Sequence, residues 1–239
     1  MPTQALDHYK GRDILELDSG QQPSFANGFY ARYGKRALDI FAATAGLIVL
    51  SPVLVFVACC VRLTSRGPAL YRQIRIGQGG RPFQILKFRS MTMQVSNTDL
   101  QVTVAGDSRV TPVGKILRRY KVDELPQLWN VVRGDMSLVG PRPEVPVYVA
   151  DYTPEQRMVL SVRPGITDPA SLAYRHEEEI LSGQSDPEQF YRTKILPDKL
   201  ARNRAYLGRI TPQNDIRIIV KTIFSSLLIA EETETRSAL

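Results

Sequence analysis

The segment IFAATAGLIVLSPVLVFVACCV, residues 40–61, contains no charged side chain. A helix needs about 20 consecutive apolar residues to cross the hydrocarbon core of a bilayer. A central helix of a soluble protein is the alternative, but such helices rarely stay apolar on every side for so many turns. The segment therefore predicts a helix that contacts a membrane.

The pair Ser51-Pro52 lies in the middle of this segment. A proline inside a helix removes one hydrogen bond and clashes with the carbonyl four residues earlier, here that of Ile48, so we expect a kink or break. A freed carbonyl is costly in hydrocarbon, and the Ser51 hydroxyl is placed to satisfy it.

Both flanks of the apolar segment are basic. The cations are Arg32, Lys35 and Arg36 before the segment, and Arg62, Arg66, Arg72 and Arg75 after it. A simple spanning helix usually has one basic side and one side poorer in Lys and Arg. A helix–break–helix hairpin that enters and leaves the same leaflet fits both the central proline and the two basic flanks. A kinked spanning helix stays open, because proline is tolerated in such helices.

The formal net charge of +7 indicates an anionic partner, which could be nucleic acid, acidic lipid or a phosphate-rich substrate. No zinc-finger or aromatic-rich sheet motif is present, and the cations cluster beside the membrane segment, so we expect no nucleic acid partner. The only cysteines, Cys59 and Cys60, are adjacent within the apolar segment, which rules out a disulfide framework.

Beyond the membrane segment the sequence indicates an α+β fold that is mainly helical. Residues 69–91 contain two strand-like runs around Gly77–Gly80 and predict a β-hairpin. Residues 94–110 are polar and predict a loop. Thr111-Pro112 opens a helix, Asp123 is expected to cap the next one with Pro126 in its first turn, and Gly134 to end it.

Prolines predict a stiff, extended chain over residues 139–147. Further helices are expected over residues 154–160, 187–207 and 214–228. The last of these alternates apolar and basic positions, so it is expected either to lie at a membrane surface or to pack on the core.

The vicinal carboxylates Asp123 and Glu124 are the candidate catalytic residues. Adjacent helical residues point about 100° apart, so the two should have different roles. A helix N-terminus and nearby Lys121, Arg118 and Arg119 favour ionised carboxylates. Such a group can bind a divalent metal or attack an electrophilic phosphorus, although the same pair is commonly only a cap and a solvated acid.

The ordered motifs around this pair resemble the bacterial sugar transferases known as monotopic phosphoglycosyl transferases. They are the apolar segment with Ser-Pro, then LKFRSM, GKILRRYKVDELPQLWNVVRGDMSLVGPRP and VRPGIT, and they cover residues 35–168. The resemblance implies a small, single-domain form with a re-entrant helix broken at Ser51-Pro52 and interfacial amphipathic helices around the active site. It also implies a location on the cytoplasmic face of the bacterial inner membrane.

The resemblance assigns roles to residues. Asp123 becomes the nucleophile, and Glu124, with Asp123, holds Mg²⁺. The substrate-binding residues become Lys87, Arg118, Pro141, Arg142, Pro143 and Arg163. The donor is then a UDP-sugar, the acceptor a polyprenyl phosphate such as undecaprenyl phosphate, and the released product UMP. A phosphoanhydride must have its charge neutralised before a carboxylate can approach it, which these cations would provide.

The residue pattern and the resemblance together predict a polar tail over residues 1–32, a re-entrant membrane helix over 33–66, a catalytic domain over 67–230 and a second tail over 231–239. A homo-oligomer is possible. The segment after Thr167 departs from the family pattern, so the sugar stays open. Two alternatives also stay open: a non-catalytic basic protein that docks on anionic lipid, and a glycosyltransferase that releases UDP.

Overall fold

The structure is a computed structural model that describes residues 29–92 and 102–237, with side chains described up to residue 226. Most of the expected N-terminal tail and residues 94–101 of the expected loop therefore lie outside the described residues. The described chain is mostly helical, with two small two-stranded sheets.

The apolar segment forms one long helix. A π-helical turn over Tyr30–Gly34 leads into α1, Lys35–Thr64. Helical backbone continues on both sides of Pro52, and the Ser51 hydroxyl donates a 2.8 Å hydrogen bond to the Ile48 carbonyl, as predicted. The element is not divided in two, and its re-entrant path stays a prediction.

The helix from Tyr30 to Thr64 is long and apolar enough to cross a membrane. Only 11% of its apolar 18-residue stretch is buried against the rest of the protein. A core helix of a soluble protein would be mostly covered, so this exposure favours contact with lipid. The exposed apolar side chains include Phe41, Ile48, Val49, Val55, Phe56 and Leu63.

The inner side of α1 docks on the rest of the chain. Asp39 is buried and accepts a 3.0 Å hydrogen bond from the Leu138 amide. At the end of the helix, the buried Arg89 donates to the carbonyls of Val61, Ser65 and Arg66 at 3.3, 2.8 and 2.9 Å. Ser65 and Arg66 follow the last residue of α1, so their carbonyls accept no hydrogen bond within the helix, and Arg89 acts as a cap.

The predicted hairpin is confirmed. Strands β1, Leu70–Ile76, and β2, Pro82–Phe88, are antiparallel, with Leu70 opposite Phe88 and Ile76 opposite Pro82. Helix α2, Pro112–Arg119, is capped as expected by Thr111, whose hydroxyl accepts from the Gly114 amide at 2.9 Å. Gly114 lies so close to Ser90 that an added Cβ would be 1.9 Å from its carbonyl oxygen.

The second sheet was not predicted. Strands β3, Ser137–Val139, and β4, Gly165–Thr167, pair in parallel, with Ser137 opposite Gly165. Between α2 and β3 lies α3, Gln127–Arg133, which ends at Gly134 as expected, in the left-handed region at φ 96°. The expected extended segment ends earlier than predicted, because Pro146 starts helix α4, Pro146–Ala150.

The C-terminal part is helical. Its elements are α5, Pro154–Arg157, followed by a 3₁₀ turn over Met158–Ser161; α6, Pro169–Ala173; α7, Glu177–Ser182; α8, Pro187–Phe190; α9, Leu196–Leu207; and α10, Pro212–Ser237. A π-helical turn over Tyr191–Ile195 joins α8 to α9, so the helix expected over 187–207 is present. α10 extends well past the predicted residue 228.

The start of α10 is tied to the start of the membrane helix through Asp215. This carboxylate is 1% exposed and accepts from Lys35 Nζ at 2.6 Å, Tyr30 at 2.9 Å and Tyr206 at 2.7 Å. α10 buries Ile218 but leaves the apolar side chains of Ile216, Val220, Ile223 and Phe224 exposed.

Candidate active site

The carboxylate pair lies in a tight turn before α3 rather than at its cap. Lys121 adopts the left-handed region at φ 56°, and Val122–Glu124 forms a 3₁₀ turn. Pro126 occupies the N-cap position of α3, without a side-chain cap. The prediction that Asp123 caps this helix is therefore wrong. The left-handed Lys121 instead turns the chain inward, and Asp123 and Glu124 are only 5% and 8% exposed.

Glu124 is clamped by two cations. Arg142 Nη2 donates to Oε1 of Glu124 and Nη1 donates to Oε2 at 3.2 Å, while Lys87 Nζ donates to Oε1 at 3.0 Å. Burial alone would raise the pKa of Glu124, but Arg142 and then Lys87 hold this pKa well below its usual value of 4.5. Glu124 is therefore ionised at neutral pH.

Asp123 has the opposite environment. Within the described residues its Oδ1 is buried without a hydrogen-bond partner. Burial and then the charge of Glu124 raise the pKa of Asp123 above its usual 3.8, against the smaller opposing effects of Lys87, Lys121 and Arg118. The expectation that a helix N-terminus lowers this pKa is not met, because α3 begins only at Gln127. Two adjacent carboxyls with pKa values pushed apart are typical of groups with distinct chemical roles.

The cations of the clamp are partly open to solvent. The side chains of Lys87 and Arg142 are 20% and 29% exposed, whereas that of Glu124 is 10% exposed. Burial lowers the pKa of Lys87 below 10.5, and the charge of Glu124 raises the pKa of Arg142. An ammonium has three donors and a guanidinium five, so both retain donors for an incoming anion.

Hydrogen bonds to the carbonyls of Pro141 and Pro143 hold the backbone on both sides of Arg142. The Pro141 carbonyl accepts from the Gly165 amide at 3.0 Å, and the Pro143 carbonyl accepts from Arg75 Nη1 at 3.1 Å. The next residue, Glu144, is buried and accepts from the Tyr191 hydroxyl at 2.6 Å. The two prolines thus act through their backbone carbonyls, which fix the position of Arg142.

Arg118 lies within electrostatic range of Asp123 but is engaged elsewhere. It donates to Glu178 of α7. Its charge opposes the rise in the pKa of Asp123, so Arg118 still acts electrostatically on the carboxylate pair.

Arg163 is not brought to the carboxylate pair. Its Nε donates to the Gly134 carbonyl at 3.0 Å. Arg36 of α1 donates to the carbonyls of Val131 and Val132 at 2.7 and 3.1 Å. The two arginines therefore cap the C-terminal end of α3, where cations are favoured by unpaired carbonyls.

Two buried amides of α3 were missed by the sequence analysis. Asn130 is fully buried, accepts from the Leu86 amide at 3.0 Å and donates to the Gln84 carbonyl at 2.7 Å, which fixes α3 to the strand that carries Lys87. Gln127 is equally buried. Polar residues on the buried face of a helix were the available signal.

Comparisons with known proteins identify the family of this chain. The model of the family described as bacterial sugar transferase matches residues 30–228. The chain is 40% identical over 196 residues to a UDP-glucose:undecaprenyl-phosphate glucose-1-phosphate transferase of Caulobacter vibrioides, covering 81% of this chain and 69% of the relative. It is 38% identical over 200 residues to the exopolysaccharide production protein PSS of Rhizobium leguminosarum bv. phaseoli, covering 81% and 94%.

A UDP-N-acetylgalactosamine-undecaprenyl-phosphate N-acetylgalactosaminephosphotransferase of Aeromonas hydrophila is 37% identical over 192 residues, which cover 79% of this chain and 42% of that protein. The long apolar helix and this set of relatives indicate membrane association. The family match extends over most of the chain, including the carboxylate pair and its two cations. The chain therefore belongs to the bacterial sugar transferase family and is a phosphoglycosyl transferase.

Proposed function

We propose that the chain transfers a sugar 1-phosphate from a UDP-sugar to a polyprenyl phosphate, releases UMP, and so initiates the assembly of a polysaccharide or glycoconjugate. The relatives carry the names of such transferases. The observation that carries the proposal is the contrast between the two carboxylates. Glu124 is fixed by two cations, while Asp123 beside it has a buried oxygen without a partner.

Lys87 and Arg142 receive the diphosphate of the donor. Both are partly exposed and keep free donors while they hold Glu124. Their charge neutralises the phosphate oxygens, which would otherwise repel an attacking carboxylate. Arg118 adds charge at longer range and could turn to the donor if its pair with Glu178 opens.

Asp123 acts as the nucleophile. One carboxylate oxygen attacks the phosphorus that carries the sugar, and the bond from this phosphorus to the bridging oxygen breaks, so UMP leaves with the electron pair. The product is an acyl phosphate that links Asp123 to the phosphosugar. An oxygen of the lipid phosphate then attacks the same phosphorus, and the bond to Asp123 breaks, which restores the carboxylate.

The carboxylate pair fits a magnesium ion. Mg²⁺ is usually held by one or two carboxylates together with substrate phosphates. Oδ1 of Asp123, beside Glu124, has no partner within the described residues, and its two lone pairs can serve both a metal ion and one hydrogen-bond donor. When bound, the ion supplies positive charge to the phosphate oxygens and favours the ionised form of Asp123. Within the described residues no group of three or more acidic, His or Cys side chains offers an alternative metal site.

The acceptor explains the membrane helix. A polyprenyl phosphate presents its phosphate at headgroup depth, and a re-entrant α1 would hold the catalytic pair at that depth, on the cytoplasmic face of the inner membrane. The exposed apolar side chains of α10 are consistent with an interfacial helix.

The decisive experiment is mass spectrometry of protein quenched after mixing with Mg²⁺ and a panel of UDP-sugars. We expect a phosphosugar adduct on Asp123 and stoichiometric UMP, and with undecaprenyl phosphate we expect turnover for one or a few donors. Release of UDP would instead indicate a glycosyltransferase, and no nucleotide release would indicate a docking protein. Turnover by the Asp123→Ala variant above a trace would show that the nucleophile is wrongly assigned.

A further inference from the structure

Gln127 is a buried amide that the resting structure does not use. It is 0% exposed, and within the described residues neither its Nε2 nor its Oε1 has a hydrogen-bond partner. Buried polar groups are nearly always paired, because an unpaired one loses its bonds to water without compensation. An apolar side chain of similar shape would avoid this cost.

The position of Gln127 relates it to the catalytic pair. It follows Asp123 by four residues and Glu124 by three, and the intervening Leu125 and Pro126 have right-handed helical backbone. Residues three and four apart in such backbone are neighbours on one face. Gln127 therefore lies about one turn along the chain from both carboxylates, and Oδ1 of Asp123 is likewise buried without a partner within the described residues.

Asn130, about one turn further along α3, is an example of a buried amide with a structural role. Asn130 binds the backbone of β2 on both sides of Ile85, with its Oδ1 accepting from Leu86 and its Nδ2 donating to Gln84. These two hydrogen bonds fix α3 to β2 without any bond from Gln127. A purely structural account thus assigns no bond to the Gln127 amide.

We propose that Gln127 is a positioning residue for phosphoryl transfer: its amide N–H donates to the buried oxygen of Asp123 when the donor is bound, which leaves the other oxygen to attack phosphorus. This inference rests on the proposed function. A hydrogen bond to a carboxylate fixes its rotamer, and a near-attack geometry accelerates the chemical step rather than binding.

The test uses full-length Gln127→Met in detergent or nanodiscs. We expect the rate of the UMP burst and kcat to fall about 10- to 100-fold, the KM for the UDP-sugar to stay within about twofold, and the melting temperature to be unchanged or higher. The matched control is Asn203→Leu on α9, a buried amide, 4% exposed, whose oxygen also lacks a partner within the described residues, and for which we expect wild-type rates.

A Gln127→Met burst within about twofold of wild type would overturn the inference alone. Gln127→Leu repeats the test with a side chain of different shape. Failure of both variants to fold would also contradict the inference, since the amide would then be required for the fold itself. Absence of UMP from the wild-type protein would overturn the proposed function, and the role of Gln127 with it.

Discussion

Arg142 binds Glu124 through both carboxylate oxygens, with Nη2 on Oε1 and Nη1 on Oε2. The two hydrogen bonds are parallel, so they fix the plane of the carboxylate as well as its position. Lys87 approaches Oε1 from β2. Glu124 is therefore held by two separate elements, and the turn that carries Asp123 is held with it.

Replacement of Arg142 by Lys should remove the bidentate geometry but keep the charge. We expect kcat/KM for the UDP-sugar to fall about 10- to 100-fold, because an ammonium cannot bind both oxygens in one plane. Steady-state assay of UMP release measures this. Arg192→Lys, which changes an exposed pair with Asp151, is the control, and an equal loss in both variants would contradict the role of Arg142.

Asp123→Asn should separate stability from activity. The Asp123 carboxyl is buried beside Glu124 with a raised pKa, so its charge destabilises the fold at neutral pH. We expect the variant to lose UMP release and to gain about 1 kcal/mol or more in the free energy of unfolding. Thermal unfolding and UMP assays on the same sample measure both. A destabilised variant would show that the carboxylate is satisfied in the resting protein.

The pH dependence of UMP release should be bell-shaped. Asp123 must be ionised to attack, and its pKa lies above 3.8, so activity is lost as pH falls through that raised value. Lys87 must be charged, and its pKa lies below 10.5, so activity is lost as pH rises through that lowered value. Lys87→Arg should move only the alkaline limb upward, since a guanidinium stays charged. An alkaline limb that does not move would assign it to another group.

Asp215→Ala should loosen the joint between α1 and α10. The substitution leaves Lys35 without its buried partner and removes the acceptor of Tyr30 and Tyr206. We expect a loss of about 3 kcal/mol in stability. Chemical unfolding in micelles measures it, and Glu155→Ala, which breaks an exposed pair with Arg204, should change little.

A re-entrant α1 predicts that both ends of the helix lie on one side of the membrane. In a Cys59→Ala/Cys60→Ala background, the single variants Arg32→Cys and Arg66→Cys, at exposed positions near the two ends of the helix, should react with an impermeant maleimide from the same side of sealed vesicles. Labelling from opposite sides would establish a spanning helix. Pro52→Ala is expected to favour that spanning path, because alanine restores the backbone donor that proline lacks and removes its clash with the Ile48 carbonyl.

The sequence predicted the elements with strong local signals. The apolar run, the glycine turn of the hairpin and the Thr111 cap each depend on a few neighbouring residues, and the structure has all three. The three-residue strands β3 and β4 are too short to show a period, and their pairing depends on close contact between Gly140 and Gly165, which are distant in sequence.

The sequence predicted which residues form most of the candidate site, but not how those residues contact one another. Lys87 and Arg142 meet Glu124 through tertiary packing that no spacing reveals. Arg163 was assigned to substrate binding by resemblance, whereas here it binds the end of α3. The cap at Asp123 failed because a left-handed residue, Lys121, turns the chain before the helix begins.

Strand β2 and the residue that follows it link the apolar helix α1 to the candidate active site. Arg89 donates hydrogen bonds to carbonyls at the end of α1, and Lys87, two residues earlier, donates a hydrogen bond to Glu124. If α1 lies in the bilayer as proposed, these two contacts make the depth of α1 set the height of the carboxylate pair relative to the bilayer surface. Bilayers of different thickness should then change how well the carboxylate pair reaches the proposed lipid phosphate acceptor.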